Sequence, residues 1–127
     1  MSDTQDTPDA LLAAIDLGSN SFHLMIAKSD FGELRPVQAL AEKVQLGETS
    51  STAMLTPGAI DRGLACLERF KQLIDSTAPA KLRIVGTNAL RRAKNRQDFI
   101  EPAEQILLES GHNIGRFAAE QAVIDVS

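Results

Sequence analysis

A chain of 127 residues has room for one hydrophobic core and not for two, so a single domain is expected. Its 43% hydrophobic and 24% charged residues exclude the aliphatic-poor composition of disordered segments, and a formal net charge of −4 excludes a global attraction to nucleic acid or an anionic membrane. Any anion the protein binds must be held by local groups.

The N-terminal "MSDTQDTPDA" is acidic and polar, without the basic start and apolar centre of a signal peptide, and no apolar run approaches the length of a membrane span. Residues 1–10 read as a flexible leader, and 11–127 as the folded part of a cytoplasmic protein. The single cysteine, Cys66, excludes an internal disulfide and sits in a helical pattern, where a small buried apolar side chain is the expected role.

In chain order, Leu11 to Ala14 is aliphatic, Asp16-Leu17-Gly18-Ser19-Asn20-Ser21 interrupts, and Phe22 to Ala27 is apolar again. Two strands joined by a tight turn fit this pattern. "SDFGEL" is a second turn in which Gly32 can take positive φ. It leads into a third strand through Arg35, Val37 and Ala39 toward Val44 and Leu46, completing an antiparallel meander. "LGETSSTAMLT" lacks periodicity and reads as a loop. Thr56-Pro57 then opens a helix, because threonine caps orphan N–H groups and proline fits the first helical position. Ile60, Leu64, Leu67, Phe70 and Ile74 recur on one face of it, and it ends near residues 76–79.

Leu82 to Val85 is a short buried strand that passes through Gly86-Thr87-Asn88 into helix-forming Ala89-Leu90-Arg91-Arg92. Strand, glycine, threonine and helix N-terminus make an anion site. A further helix spans 96–109, with Pro102 expected to kink it or mark its start and Ser110-Gly111 ending it. "AVIDV" reads as a last strand. The sum is an α/β lobe: a three-strand antiparallel meander, then α-β-α and a final strand, with ligands expected at the strand ends.

Asp16 between Ile15 and Leu17 has two readings. It holds a metal ion or its waters while Gly18, Ser19, Asn20 and Ser21 receive an anion, or it merely caps its own turn. Residue types alone leave both open.

"AAIDLGSNSFHLMIAK", "EKVQLG" and "VGTNALRRAKN", in that order, resemble the N-terminal lobe of the exopolyphosphatase and guanosine pentaphosphate phosphohydrolase family, within the actin-like ATPase (ribonuclease H-like) superfamily. The likeness runs from about Leu12 to about Ile106, and Phe22-His23 after the turn is typical of the exopolyphosphatase branch. The resemblance implies release of terminal phosphate from inorganic polyphosphate, or of the 5′ phosphate of guanosine pentaphosphate, with a divalent metal, usually Mg2+. It carries phosphate binding over to Gly18, Ser19, Asn20, Ser21, Gly86, Thr87 and Arg91, with Asn88 and Arg92 as weaker candidates, and places Asp16 at the metal. A solvated face is the plain alternative for Arg91-Arg92, and His23 is expected to be a packed side chain rather than a base.

The resemblance weakens toward the end. The family continues with a Glu-Glu-Ala-Arg segment whose first glutamate activates water; here Glu120-Gln121-Ala122 is the nearest match and makes Glu120 the candidate base. "VIDVS" alternatively echoes the strand of the family's glycine-rich second phosphate motif. The second lobe has no counterpart here, so the chain reads as a lobe truncated or diverged after about residue 110. Half a cleft loses most of the rate of a reaction that depends on positioning from both sides. A non-catalytic phosphate-binding remnant is therefore the rival reading, and a face left bare by the missing lobe invites self-association. A nucleotide-binding sugar-kinase or actin-like lobe is less favoured, because Ser-Asn-Ser replaces the turn such a lobe would need.

Overall fold

The computed structural model describes residues 11–47, 53–108 and the backbone of 124–126; Glu120, the leader and the 110–111 helix end lie outside them. The elements are β1 (Leu11–Leu17), β2 (Ser21–Asp30), β3 (Glu33–Lys43), α1 (Pro57–Thr77), β4 (Lys81–Gly86), α2 (Asn88–Arg92), α3 (Gln97–Leu108) and β5 (Ile124–Val126). They build one five-stranded sheet in the order β3-β2-β1-β4-β5. β1, β2 and β3 pair antiparallel, while β4 lies parallel to β1 and β5 parallel to β4. This is the expected meander followed by α-β-α and a last strand.

Period-two alternation divides the sheet into a packed and an open face. Ala13, Ile15, Leu17, Phe22, Leu24 and Ile26 are buried on the first, under α1 and α3. Ala14, Asp16, His23 and Met25 are exposed on the second, so His23 is not the packed side chain expected of it: its strand position points away from the core. The open face holds a hollow of about 620 Å³ whose wall is largely aliphatic, from Leu12, Ala14, Met25, Ala27 and Leu34, with Lys81 and Arg83 at its margin.

α1 starts as its sequence demands: Thr56 accepts a hydrogen bond from the Ala59 amide at 3.1 Å, and Pro57 occupies the first turn. Its end differs from the glycine rule, for Ala78 takes the left-handed conformation (φ 48°) and donates its N–H to the Ile74 carbonyl at 2.8 Å. At the β2–β3 turn Gly32 is left-handed (φ 83°) as expected, and so is Phe31 (φ 52°).

Two expectations are corrected. β3 stops at Lys43, because Val44 and Leu46 turn inward as a buried loop instead of continuing the strand. Of the two alternatives for Pro102 the start of α3 is excluded: the helix begins at Gln97 and runs through Pro102, since burial of Phe99, Ile100, Ala103 and Leu107 outweighs one missing backbone donor.

Cys66 is fully buried, and burial, then the nearby Glu42 carboxylate, pushes its thiol from an ordinary 9.0 up to about 12, against a smaller opposing pull from Arg69. Glu42 itself is held below the usual carboxylate range, chiefly by its two-pronged bond to Arg69 at 2.6 and 2.7 Å. The folded thiol resists ionisation that the unfolded chain undergoes freely, so the stability it contributes is complete below pH 9 and drains away as pH rises toward 12. Thermal melts in buffers stepped upward from pH 9 should show a falling Tm, and Cys66→Ala should flatten that slope.

Candidate functional site

The Gly18-Ser19-Asn20 turn is shaped by close backbone approach. A Cβ on Gly18 would lie 2.8 Å from the Ser21 carbonyl oxygen, so only glycine fits without moving the turn. The turn is then pinned from outside. The Val44 and Gln45 amides both donate to the Asn20 carbonyl, at 2.9 and 2.8 Å, and the Gly47 amide donates to the Ser19 carbonyl at 2.8 Å. This gives "EKVQLG" a physical role: it clamps the turn by its main chain. Gly47 is itself constrained, since a Cβ there would meet Ser19 Cβ at 3.2 Å. Arg62 of α1 completes the clamp, donating from Nε to the Val44 carbonyl at 2.8 Å and from Nη2 to the Gln45 carbonyl at 3.3 Å.

β4 delivers the second half. Its parallel register sets Gly86 beside Leu17, so the Gly86-Thr87 turn emerges next to the Gly18 turn. The Thr87 hydroxyl donates to the Leu17 carbonyl at 3.3 Å, tying the two strand ends together. One turn into α2, Arg91 Nη2 donates to Asn88 Oδ1. Arg96 reaches back to the Arg91 carbonyl at 2.9 Å, placing positive charge at the C-terminal end of α2.

Between the two turns lies a cavity of about 270 Å³ lined by Ser19, Gly47, Ala53, Asn88, Ala89 and Arg92. Arg92 therefore lines the cavity, while exposed Arg91 is engaged with Asn88 at its margin. Ser19 is in the wall; Gly18, Ser21, Gly86 and Thr87 shape the turns behind it; Asn20 is exposed, its carbonyl used by the clamp. Asp16 is exposed on the open sheet face, with His23 and Val85 as its cross-strand neighbours. It does not line this cavity. Among the described residues no group of three or more His, Cys, Asp or Glu side chains is gathered to hold a metal ion. Gly47, Ala53, Ala89 and Arg62 were not singled out as site residues; Gly47 and Ala89 carried a signal as members of the motifs "EKVQLG" and "VGTNALRRAKN", and Ala53 and Arg62 carried none. Among the described residues, no helix is long and apolar enough to cross a membrane.

A mixed sheet with a leading antiparallel meander, followed by α-β-α and a parallel last strand, is the lobe of the actin-like, ribonuclease H-like class, and the comparisons agree. A RuvC from T. thermophilus in complex with a Holliday junction shares the fold at 14% identity, with a TM-score of 0.50 over 93% of this chain and 64% of that one. Residues 25–108 match the Ppx/GppA phosphatase family, and the chain belongs to it. The PPX-GPPA enzyme of Aquifex aeolicus is 29% identical over 93% of this chain and 36% of its own, with a TM-score of 0.72. An exopolyphosphatase from Cytophaga hutchinsonii is 25% identical over 91% and 33%, with a TM-score of 0.76. The chain thus spans about a third of the length of these relatives.

Proposed function

We propose that this phosphatase-family lobe acts in exopolyphosphatase-type hydrolysis, receiving the terminal phosphate of inorganic polyphosphate in the strand-end cavity. The observation that carries the reading is the meeting of Ser19, from a turn held rigid by Arg62 and the 44–47 segment, with Asn88 and Arg92 across one small cavity. A pre-set donor loop opposite a guanidinium suits an oxyanion, because the ordering cost is met during folding rather than on binding. In the reaction these residues bind and orient the phosphate. Asp16, near the end of β1 just before the turn, is the residue that would hold one of the waters of a magnesium ion, which keeps most of its waters and takes few protein ligands. When bound, the ion would neutralise charge on the phosphate oxygens.

The test is calorimetry with tripolyphosphate at low salt. Arg92→Ala should weaken binding by about one to two decades with or without magnesium, as expected for a lost charge-assisted contact. Asp16→Asn should weaken it only when magnesium is present. Equal losses for Asp16→Asn in magnesium and in chelator would make Asp16 a turn-capping residue, and a wild-type chain that binds no tripolyphosphate would sink the reading. Guanosine pentaphosphate in the same titration decides the substrate class. Binding without phosphate release would assign this chain a holding role rather than a turnover role.

A further inference from the structure

The cavity wall shared by the Ser19 turn and α2 also includes Ala53, the first residue of the segment 53–55. Ala53 lines the cavity with a left-handed φ of 62°, which a non-glycine residue seldom adopts unaided. What holds it comes from the turn between α2 and α3. Asn95 Oδ1 accepts the Leu55 N–H at 2.7 Å, and Asn95 Nδ2 donates to the Leu55 carbonyl at 3.1 Å. Next to it the Lys94 amide donates to the Ala53 carbonyl at 3.2 Å. A primary carboxamide presents one acceptor and one donor side by side and so satisfies both backbone groups of Leu55; aspartate lacks the donor and alanine lacks both. The same turn is fixed to α2 by Arg96, which donates to the Arg91 carbonyl, and to α3 by the Asn95 carbonyl, which accepts the Asp98 N–H at 2.9 Å.

We propose that Asn95 is a positioning residue for phosphate: it sets the distance between the 53–55 wall and the helix that carries Asn88 and Arg92, and so keeps the cavity at the size of its anion. Asn95 touches no ligand. It acts through Leu55, whose side chain is buried in the core, and through the adjoining Ala53. The inference rests on the phosphate reading above and adds to it the residue that governs the shape of the site.

The experiment uses the whole chain with tripolyphosphate as probe and compares Asn95→Ala with Ile74→Val, a core truncation in the last turns of α1. If Asn95 sets the cavity, opening of the wall in Asn95→Ala reduces the competent fraction, and the apparent Kd rises about tenfold if that fraction falls to about one tenth. Ile74→Val should lower Tm and leave Kd unchanged. In the ligand-free protein, exchange of the Leu55 amide hydrogen should accelerate in Asn95→Ala and less so in Asn95→Asp, which keeps the acceptor; that second variant carries the measurement should the first not fold. An Asn95→Ala protein that binds tripolyphosphate as tightly as the wild type overturns the proposal, as does a Kd change matched by Ile74→Val. Unchanged Leu55 exchange overturns the clamp whether or not anything binds, whereas a wild-type chain that binds no tripolyphosphate overturns the phosphate reading and the inference with it.

Discussion

Phe99→Ala is expected to destabilise the lobe by about 3 to 5 kcal/mol, the usual cost of emptying a fully buried aromatic site. Phe99 has no exposed surface, meets Phe22 edge-to-face at a centroid separation of 5.9 Å, and lies against Gly63 of α1 so closely that a Cβ there would be 2.7 Å from its ring. One side chain thus joins α3, α1 and β2. The void could not collapse easily, since its walls are a helix backbone and a strand. For a small domain whose whole stability is on the order of 5 to 15 kcal/mol, the loss approaches unfolding. Chemical denaturation should show a much lower midpoint with an unchanged slope; a shift of under about 1 kcal/mol would mean that α3 repacks and that the three-way contact is not the keystone it looks.

Gly18→Ala is expected to lower stability and binding together. The added methyl would stand 2.8 Å from the Ser21 carbonyl oxygen, a backbone atom that cannot swing aside. The turn must shift, and its Ser19 and Asn20 carbonyls are each fixed by amides of 44–47, so the shift also breaks the clamp. Stability should fall by about 1 to 3 kcal/mol, the range for overpacking a tight site. Tripolyphosphate affinity should fall by more than tenfold, as a displacement of even about 1 Å is costly to an oriented site. Calorimetry and a denaturation curve on the same preparation check both numbers, and retained affinity would show that the turn does not contact the anion.

Most of the architecture was legible in the residues because local rules and burial agree there. Thr56-Pro57 marks a helix start by capping chemistry, the alternation through Ala13, Ile15 and Leu17 marks a half-buried strand, and Gly86-Thr87 marks a strand-to-helix passage. Pro102 misleads because its local cost is overridden by burial of its helical neighbours. Val44 and Leu46 look like strand continuation by spacing, yet they are buried by folding inward. The site was legible as motifs and not as geometry. From Asn88, Arg91 and Arg92 stand three and four residues on, two spacings that share a helix face, so no pattern tells which lines the cavity. Arg62 acts on carbonyls 17 and 18 residues away and has no local signature, while Asn95 closes the motif "VGTNALRRAKN" but acts on Leu55, 40 residues away, which the motif does not reveal.

The parallel pairing of β1 with β4 has a consequence for the order of assembly. The meander closes short loops and can form early, but the Leu17–Thr87 contact spans 70 residues and cannot be made until α1 has folded back across the sheet. The two halves of the cavity therefore meet late. They are also expected to separate when β4 leaves β1 as the lobe opens. An anion seated between them would bind the complete lobe and not the half-assembled one, so it would act as a staple across the slowest-formed contact. Polyphosphate would then slow unfolding of the whole lobe, making its concentration a determinant of how long the folded chain survives.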